Sequence, residues 1–162
     1  MNPHAPPDRP RQPGDGWVDC ACGHRHWGLH GAAGLLLVRR EPLSVVLQHR
    51  AIWSHHGGTW GIPGGARQPD ESAEQAALRE AHEEAGIDPA AVGIRGETVL
   101  SHPDWSYTTV IAEELVPVHP AVTDAESDEI RWVPVDEVDA LPLLPAFADA
   151  WPALRARITA SD

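Results

Sequence analysis

The chain has 162 residues, of which 42% are hydrophobic and seven are tryptophan. This length and composition favour one globular domain with a sizeable core over a disordered chain. The formal net charge is −12 and all twelve basic residues are arginine. A broad basic surface is therefore excluded, and we expect neither a nucleic-acid partner nor binding to an anionic membrane.

The N-terminal segment is rich in proline and lacks the apolar core of a signal peptide. We predict a disordered, proline-rich tail over 1–16 and a single domain over 17–162. The longest apolar stretch of note is "GAAGLLLV", which is far shorter than the roughly 20 residues of a membrane helix. A cytoplasmic location is the default expectation.

The motif "CACGHRH" combines thiol and imidazole side chains just ahead of the first long apolar stretch. It places Cys20, Cys22, His24 and His26 within seven residues. These are zinc-ligand types, but the spacing is tighter than in a zinc ribbon and no second pair of cysteines follows. A structural metal clip is one interpretation. The sequence favours the other, an ordinary ordered segment that leads into the first strand.

Two strands are predicted after this motif. The apolar stretch 30–40 and the β-branched stretch 43–50 meet at a turn-like "REP" and can pair as a hairpin. The following stretch, 51–65, is rich in glycine around two tryptophans. That composition predicts a loop with room for one short strand.

The clearest helix is predicted over 73–85. Ser72 can cap its start, with Gln75 completing a capping box, and Gly86 suits a left-handed C-terminal stop. The segment contains no proline, glycine or β-branched residue, so local propensity agrees with the caps.

Three more strands and a second helix are predicted beyond residue 90. The helix, over 145–160, is amphipathic but interrupted by Pro152. Because strands and helices mix without regular βαβ alternation, an α+β fold is favoured over a doubly wound sheet. The predicted strands cover 96–102, 106–118 and 128–135.

Three glutamates of the 73–85 helix fall on one face. Glu80, Glu83 and Glu84 have i, i+3 and i+4 spacing, which brings their carboxylates together. If partly buried, at ~6 Å and an effective dielectric of ~20, each pair repels by roughly 3 kcal/mol. A solvated charged face is one interpretation. The other is a divalent cation, and hard oxygen ligands favour Mg²⁺ or Mn²⁺.

The residues around this helix carry a family resemblance. The spacing G-x5-E-x7-R-E-x-x-E-E-x-G plus an apolar residue resembles the Nudix box of the Nudix hydrolase superfamily. Ala81 departs mildly from it, because a bulky aliphatic residue is usual there. The flanking "WGIPGG" and "IRWVPVDEV" also resemble Nudix sequences, and the likeness covers roughly residues 30 to 158. The matching positions are Gly65, Glu71, Arg79, Glu80, Glu83, Glu84, Gly86 and Ile87.

The resemblance implies a Nudix-type α/β/α sandwich around a mixed sheet, with Mg²⁺ (or Mn²⁺) bound at the box. It assigns the metal ligands to Glu80, Glu83, Glu84 and the carbonyl of Gly65. Glu71 would support the loop structurally. The catalytic group would include Arg79, which can hold Glu80 in position.

The base that takes a proton from the attacking water lies in the box or in a later loop in this family. Glu80 is the candidate in the box. In the loop "DAESDEIRW" the candidate is Glu126, with Glu129 as second choice. An acidic surface turn is the alternative interpretation of that loop.

Arg50, His55 and His56 are candidates for substrate binding. Arg50 ends a predicted strand beside the glycine-rich loop, and a guanidinium suits phosphate recognition. His55 and His56 could bond a phosphate or ribose. The alternatives are a surface arginine and ordinary turn histidines. Three tryptophans could stack on a base or pack in the core: Trp53, Trp60 and Trp105.

The predicted function is hydrolysis of a nucleoside diphosphate linked to another moiety. A MutT-like activity on a nucleoside triphosphate, possibly an oxidised one, yielding a monophosphate and pyrophosphate, rests on analogy with the family. An ADP-ribose or nucleotide-sugar pyrophosphatase is the alternative. A non-catalytic nucleotide sensor is the alternative from another class. A homodimer is a further expectation from the resemblance.

Overall fold

The computed structural model describes residues 11–52, 54, 56–123, 125 and 127–160. Its helices are α1 (Ala73–Ala85) and α2 (Pro145–Ala160), with short 3₁₀ turns at Pro89–Ala91 and Val135–Ala140. The strands are β1 (Trp17–Asp19), β2 (Arg25–Trp27), β3 (Ala32–Arg39), β4 (Ser44–Arg50), β5 (Trp60–Gly61), β6 (Gly64–Ala66), β7 (Val92–His102), β8 (Trp105–Glu114) and β9 (Ser127–Pro134).

The main sheet is mixed. Its strands run in the order β5-β4-β3-β8-β7, with β6 added to β3 and β9 added to β4. The β3–β8 pair is parallel and the other pairs are antiparallel. The predicted β3–β4 hairpin exists, but its ladder holds only Val38 with Val45 and Arg39 with Ser44. Beyond those two pairs, β3 is hydrogen-bonded to β6, and β4 is hydrogen-bonded to β5 and β9. Strands β3 and β4 therefore diverge.

Strand β3 supplies both faces of the core. Its residues are buried except for the last, and alternate side chains point to opposite faces. Each fully buried leucine here stabilises the fold by about 2 kcal/mol. The α1 face packs Leu35, Leu37, Val110 and Ala112 with Ala76, Ala77, Ala81 and Ala85. The α2 face packs Leu36, Val38, Leu47 and Val133 with Phe147, Trp151, Leu154 and Ile158. The predicted α/β/α sandwich around a mixed sheet is confirmed.

Helix α1 begins and ends as the sequence predicts. The Gln75 N–H donates to Ser72 Oγ at 3.0 Å, and the Ser72 N–H donates to Gln75 Oε1 at 2.9 Å. Gly86 ends the helix with φ 66° and its N–H donates to the His82 carbonyl. Capping at both ends fixes where α1 begins and ends.

Two strand boundaries lie four residues away from the predicted positions. Strand β7 begins at Val92, and β8 ends at Glu114 rather than at residue 118. Strand β8 stops because the chain turns back there, and the Val118 N–H donates to the Glu114 carboxylate at 2.9 Å. Helix α2 runs through Pro152, and the packing of Trp151 and Leu154 in the core outweighs the missing backbone donor.

The boundary of the proline-rich tail also needs correction. The prediction put 1–16 outside the domain, but the chain makes domain contacts ahead of Trp17. The Gly14 N–H donates to Gln68 Oε1 at 2.7 Å, and the Leu29 N–H donates to the Gly14 carbonyl at 2.9 Å. A Cβ on Gly14 would lie 2.1 Å from the Arg67 carbonyl oxygen, so glycine permits this close approach. Residues 1–10 lie outside the described part of the chain.

Among the described residues, no helix has the length and apolar character needed to cross a membrane.

Candidate active site

Strand β6 and helix α1 meet over the middle of the sheet. Strand β6 lies antiparallel to the start of β3, with Gly65 opposite Ala33 and Gly64 opposite Gly34. Helix α1 packs on the same strand through its alanine stripe. Because both elements rest on β3, the glycine backbone of β6 lies directly beside one face of the helix.

Two carboxylates of α1 lie against this glycine backbone. A Cβ on Gly65 would stand 2.1 Å from Glu80 Oε2, so the carboxylate fills the space that any side chain would need. The Gly64 N–H donates to Glu84 Oε2 at 3.0 Å. Glu80 is 3% exposed and Glu84 is 1% exposed. Buried carboxylates are costly unless charge and hydrogen bonds compensate them, which makes this pair a candidate for a functional role.

Arg79 joins the helix to the loop that precedes it. Its guanidinium donates two hydrogen bonds to the Glu71 carboxylate, at 2.7 and 3.0 Å, and one to the Ala66 carbonyl at 3.0 Å. The Gln68 N–H donates to the same Glu71 carboxylate at 2.9 Å. This bidentate pair holds residues 66–71 against α1.

The ionisation of this pair follows from its contacts. The hydrogen bond to Glu71 raises the pKa of Arg79, against the opposing effect of burial. Burial alone would raise the pKa of Glu71, but the hydrogen bonds from Arg79 and Gln68 outweigh it and hold that pKa below its usual range. Both groups are therefore charged near neutral pH.

The Arg79 guanidinium lies close to three carboxylates, and its single positive charge cannot neutralise all of them. Arg79 Nη1 lies 3.3 Å from Glu83 and 3.6 Å from Glu80, besides the pair with Glu71. Glu84 lies on the same face of the helix, and the charge of Arg67 also acts on Glu71, so four carboxylates stand near these two arginines. A hard divalent cation fits this excess of negative oxygen donors. The groups that could hold such a cation are Glu80, Glu83, Glu84 and the Gly65 backbone.

Tyr107 belongs to this region, although no motif in the sequence pointed to it. A Cβ on Gly34 would lie 2.1 Å from its hydroxyl oxygen, and one on Gly64 would lie 2.9 Å away. The hydroxyl end is enclosed, although the side chain as a whole is half-buried. Burial, and then the negative charge of Glu84, raise the pKa of Tyr107, while Arg50 opposes them. The only signal in the sequence is that the chain has a single tyrosine.

Arg50 stands at the end of β4. It pairs with Ser127 at the start of β9, where the ladder shifts register. Its positive charge lowers the pKa of Tyr107, against the effects of burial and of Glu84. The position is compatible with the predicted phosphate contact.

The remaining predicted residues divide between turn, core and undescribed positions. His56 is exposed with φ 54°, and its carbonyl accepts a hydrogen bond from the Thr59 hydroxyl at 2.6 Å. Glu129 is exposed and pairs with Arg131 at 3.0 Å. His55, Glu126 and Trp53 lie outside the described residues.

The two described tryptophans proposed for base stacking are engaged elsewhere. Trp60 is 6% exposed, in the α2-side core, so it cannot stack on a nucleotide. The Trp105 ring is half-buried and stacked on His26 with centroids 4.3 Å apart, so one of its faces is already covered.

A carboxylate-bearing helix beside a glycine strand, in an α/β/α sandwich, defines a hydrolase of the Nudix type. Residues 28–156 match the family model described as NUDIX domain, and the chain belongs to this family. Membership places it among hydrolases that act on phosphoanhydride bonds.

Three relatives show how far the similarity extends. A "Nucleoside triphosphate pyrophosphatase/Nudix hydrolase fusion protein" of Bifidobacterium longum is 51% identical over 97% of this chain, which spans only 35% of that protein. "Putative 8-oxo-dGTP diphosphatase 3" of Mycobacterium tuberculosis is 46% identical over 94% of this chain and 76% of its own length. A Nudix hydrolase from M. smegmatis, RenU, has a crystal structure that superposes on this chain with a TM-score of 0.83. The two sequences are 47% identical, and the match covers 92% of this chain and 98% of that one.

Proposed function

We propose that the protein is a Mg²⁺-dependent pyrophosphohydrolase that converts a nucleoside triphosphate, in particular an oxidised purine nucleotide, to a monophosphate and pyrophosphate. The observation that carries this proposal is the burial of Glu80 and Glu84 against Gly65 and Gly64, beside an arginine that is shared among Glu71, Glu80 and Glu83. The name of the M. tuberculosis relative supports the choice of nucleotide. Mn²⁺ is an alternative ion with the same ligand preference.

The cation would be held by Glu80, Glu83, Glu84 and the Gly65 carbonyl. When bound, it neutralises the phosphate oxygens and lowers the pKa of bound water. The neighbouring side chains hold these ligands in position. Arg79 fixes the position of Glu80 through its charge and its attachment to the loop, and Glu71 keeps Arg79 in place.

A carboxylate must accept a proton from the attacking water. The two candidates are Glu80, which is buried at the site, and Glu126, whose position the structure does not describe. Arg50 is assigned to a phosphate of the substrate, because a guanidinium matches phosphate oxygens with two parallel hydrogen bonds. His55 and His56 remain candidates for a second polar contact.

A substrate panel tests the assignment. The protein is incubated with Mg²⁺ and, separately, with canonical dNTPs, 8-oxo-dGTP, ADP-ribose, a nucleotide sugar and a dinucleoside polyphosphate, and products are separated by chromatography. We expect monophosphate and pyrophosphate from a triphosphate, with the highest kcat/KM for 8-oxo-dGTP. Cleavage of ADP-ribose alone would show that the triphosphate assignment is wrong. Absence of turnover on every diphosphate would favour a nucleotide sensor.

The role of the buried carboxylates is tested with a matched pair of variants. Glu84→Gln keeps the shape and removes the charge, and Glu74→Gln makes the same change at an exposed position of the same helix. We expect kcat to fall by about 10²-fold or more for Glu84→Gln, the range seen when a preorganised electrostatic group is lost. Glu74→Gln should retain wild-type turnover. Equal activity of the two variants would refute the assignment of Glu84 as a ligand.

The expected homodimer is a separate proposal, tested by light scattering of the purified protein at assay concentration. A molar mass of one chain would refute it.

A further inference from the structure

The cysteine–histidine motif near the N-terminus folds into a small hairpin. Strands β1 and β2 pair antiparallel, with Asp19 opposite Arg25. The turn between them is closed by the Cys20 N–H, which donates to the His24 carbonyl at 3.1 Å, and by the Gly23 N–H, which donates to the Cys20 carbonyl at 3.0 Å. This turn folds the two cysteines back toward the first residues of β2.

Three ligand atoms converge at this turn. Cys20 Sγ, Cys22 Sγ and a ring nitrogen of His26 all lie within 4.8 Å of one another, and Cys22 Sγ is 3.2 Å from His26 Nε2. In a tetrahedral zinc site, with Zn–S and Zn–N bonds of about 2.3 and 2.0 Å, neighbouring ligand atoms stand about 3.5 to 3.8 Å apart. The cluster is thus close to the size that one ion requires, and the two cysteines are not joined by a disulfide.

The surrounding structure holds these ligand atoms in place. The His26 ring stacks on Trp105 at an interplanar angle of 9°, which restricts the direction of its nitrogen. The Asp104 N–H points at Cys20 Sγ at 3.4 Å, and the Ala21 N–H donates to Asp104 Oδ2 at 2.7 Å. Backbone donors to a sulfur and fixed ring orientation are what supports metal ligands in known sites.

We propose that Cys20, Cys22 and His26 bind one Zn²⁺ ion, at a structural site distinct from the carboxylates of α1. Two thiolates and an imidazole form a soft ligand set that selects zinc over magnesium. The sequence favoured an ordinary lead-in to the first strand because the spacing is tighter than in a zinc ribbon and no second pair of cysteines follows. The hairpin register separates His24 from His26 and brings only His26 to the sulfurs.

The proposed site lies where the β1–β2 hairpin meets the turn between β7 and β8. Asp104 belongs to that turn and is hydrogen-bonded to both Cys20 and Ala21, so the turn holds one of the ligand residues in place. Because the ligands are assembled only in the folded chain, zinc binding would stabilise the fold.

Metal content is the first measurement. The wild-type protein is produced in zinc-supplemented medium, purified without chelator and analysed by mass spectrometry of metals. We expect about one zinc per chain, since three ligands at one point hold a single ion. Cys22→Ser should lose it. His24→Ala, an exposed control in the same turn, should keep it, and so should Glu84→Gln, which excludes zinc held by the box.

Cobalt titration of the metal-free wild type makes the test independent of how the variants fold. We expect saturable thiolate-to-cobalt absorption with the d–d bands of a tetrahedral site, and a higher Tm after zinc is added. Wild-type protein that holds no zinc and gives no such spectrum would overturn the proposal. So would zinc retention by a folded Cys22→Ser variant, or a mass loss that corresponds to a Cys20–Cys22 disulfide in freshly purified protein.

Discussion

Replacing Gly65 by alanine would place a methyl group in the space that the Glu80 carboxylate occupies. The new Cβ would lie 2.1 Å from Glu80 Oε2 and 2.6 Å from its carboxyl carbon. Contacts of a Cβ under 3.0 Å are essentially never seen, so the carboxylate oxygen must move by about 0.9 Å. The backbone itself accepts alanine, because no positive φ is recorded at Gly65.

The expected consequence is a large loss of activity with a smaller loss of stability. A displacement near 1 Å at a reacting centre costs about 10²-fold in rate, and we expect kcat/KM of Gly65→Ala to fall by that factor at saturating Mg²⁺. Overpacking of a buried site costs about 1–3 kcal/mol of unfolding free energy. The atom in the way is the end of a side chain, which can move more easily than backbone, so we expect a loss near ~1 kcal/mol. Urea unfolding of both proteins measures this difference in unfolding free energy.

Gly61→Ala is the matched control for this substitution. Gly61 likewise lies in a short strand of the same sheet, but its added Cβ would meet Leu144 at 3.5 Å, an ordinary contact. We expect this variant to keep wild-type kcat/KM. If Gly65→Ala were as active as Gly61→Ala, the contact between Gly65 and Glu80 would have no part in the reaction, and the reasoning from it would be refuted.

Three further predictions concern the support of the site and its ion. Arg79→Lys keeps the charge but loses the two-pronged bond to Glu71, so we expect activity or Mg²⁺ affinity to fall about 10–100-fold, measured by Mg²⁺ titration of the initial rate. The pKa of Glu71 is lower in the folded chain than its ordinary value of 4.5. The ionised Glu71 carboxylate therefore stabilises the folded chain above that value, and this stabilisation is lost as the pH falls through the folded pKa. Glu71→Gln should therefore show a smaller loss of stability between pH 6 and strong acid than wild type in urea unfolding, and parallel curves would contradict this assignment. Chelation by EDTA should abolish hydrolysis and excess Mg²⁺ should restore it, and hydrolysis that survives exhaustive chelation would refute metal dependence.

The features predicted well are those specified by local sequence. Helix α1 is bounded by Ser72 and Gly86 because capping depends on residues within a turn of the helix end. The shared face of Glu80, Glu83 and Glu84 follows from helical spacing alone. The main strands were found because apolar, β-branched stretches of the right length are recognisable without knowledge of their partners.

The features that were missed depend on pairing between distant segments. The place of Tyr107 beside Gly34 and Gly64 results from the parallel β3–β8 register and from β6 lying on the other side of β3. Nothing in the sequence near Tyr107 specifies either. Similarly, the contact of Gly14 with Gln68 joins segments 54 residues apart, so the proline content near the N-terminus was a poor guide to where packing begins.

The sequence by itself determined the helix, its caps and the side chains that share its charged face, because these depend on interactions between residues three or four positions apart. Only the tertiary structure decided what that face meets. Burial of Glu80 and Glu84 against the β6 glycines, and the choice of His26 over His24 beside the cysteines, arise from strand register. Register is set by which faces of the sheet can be buried together, and that is a property of the whole packed core.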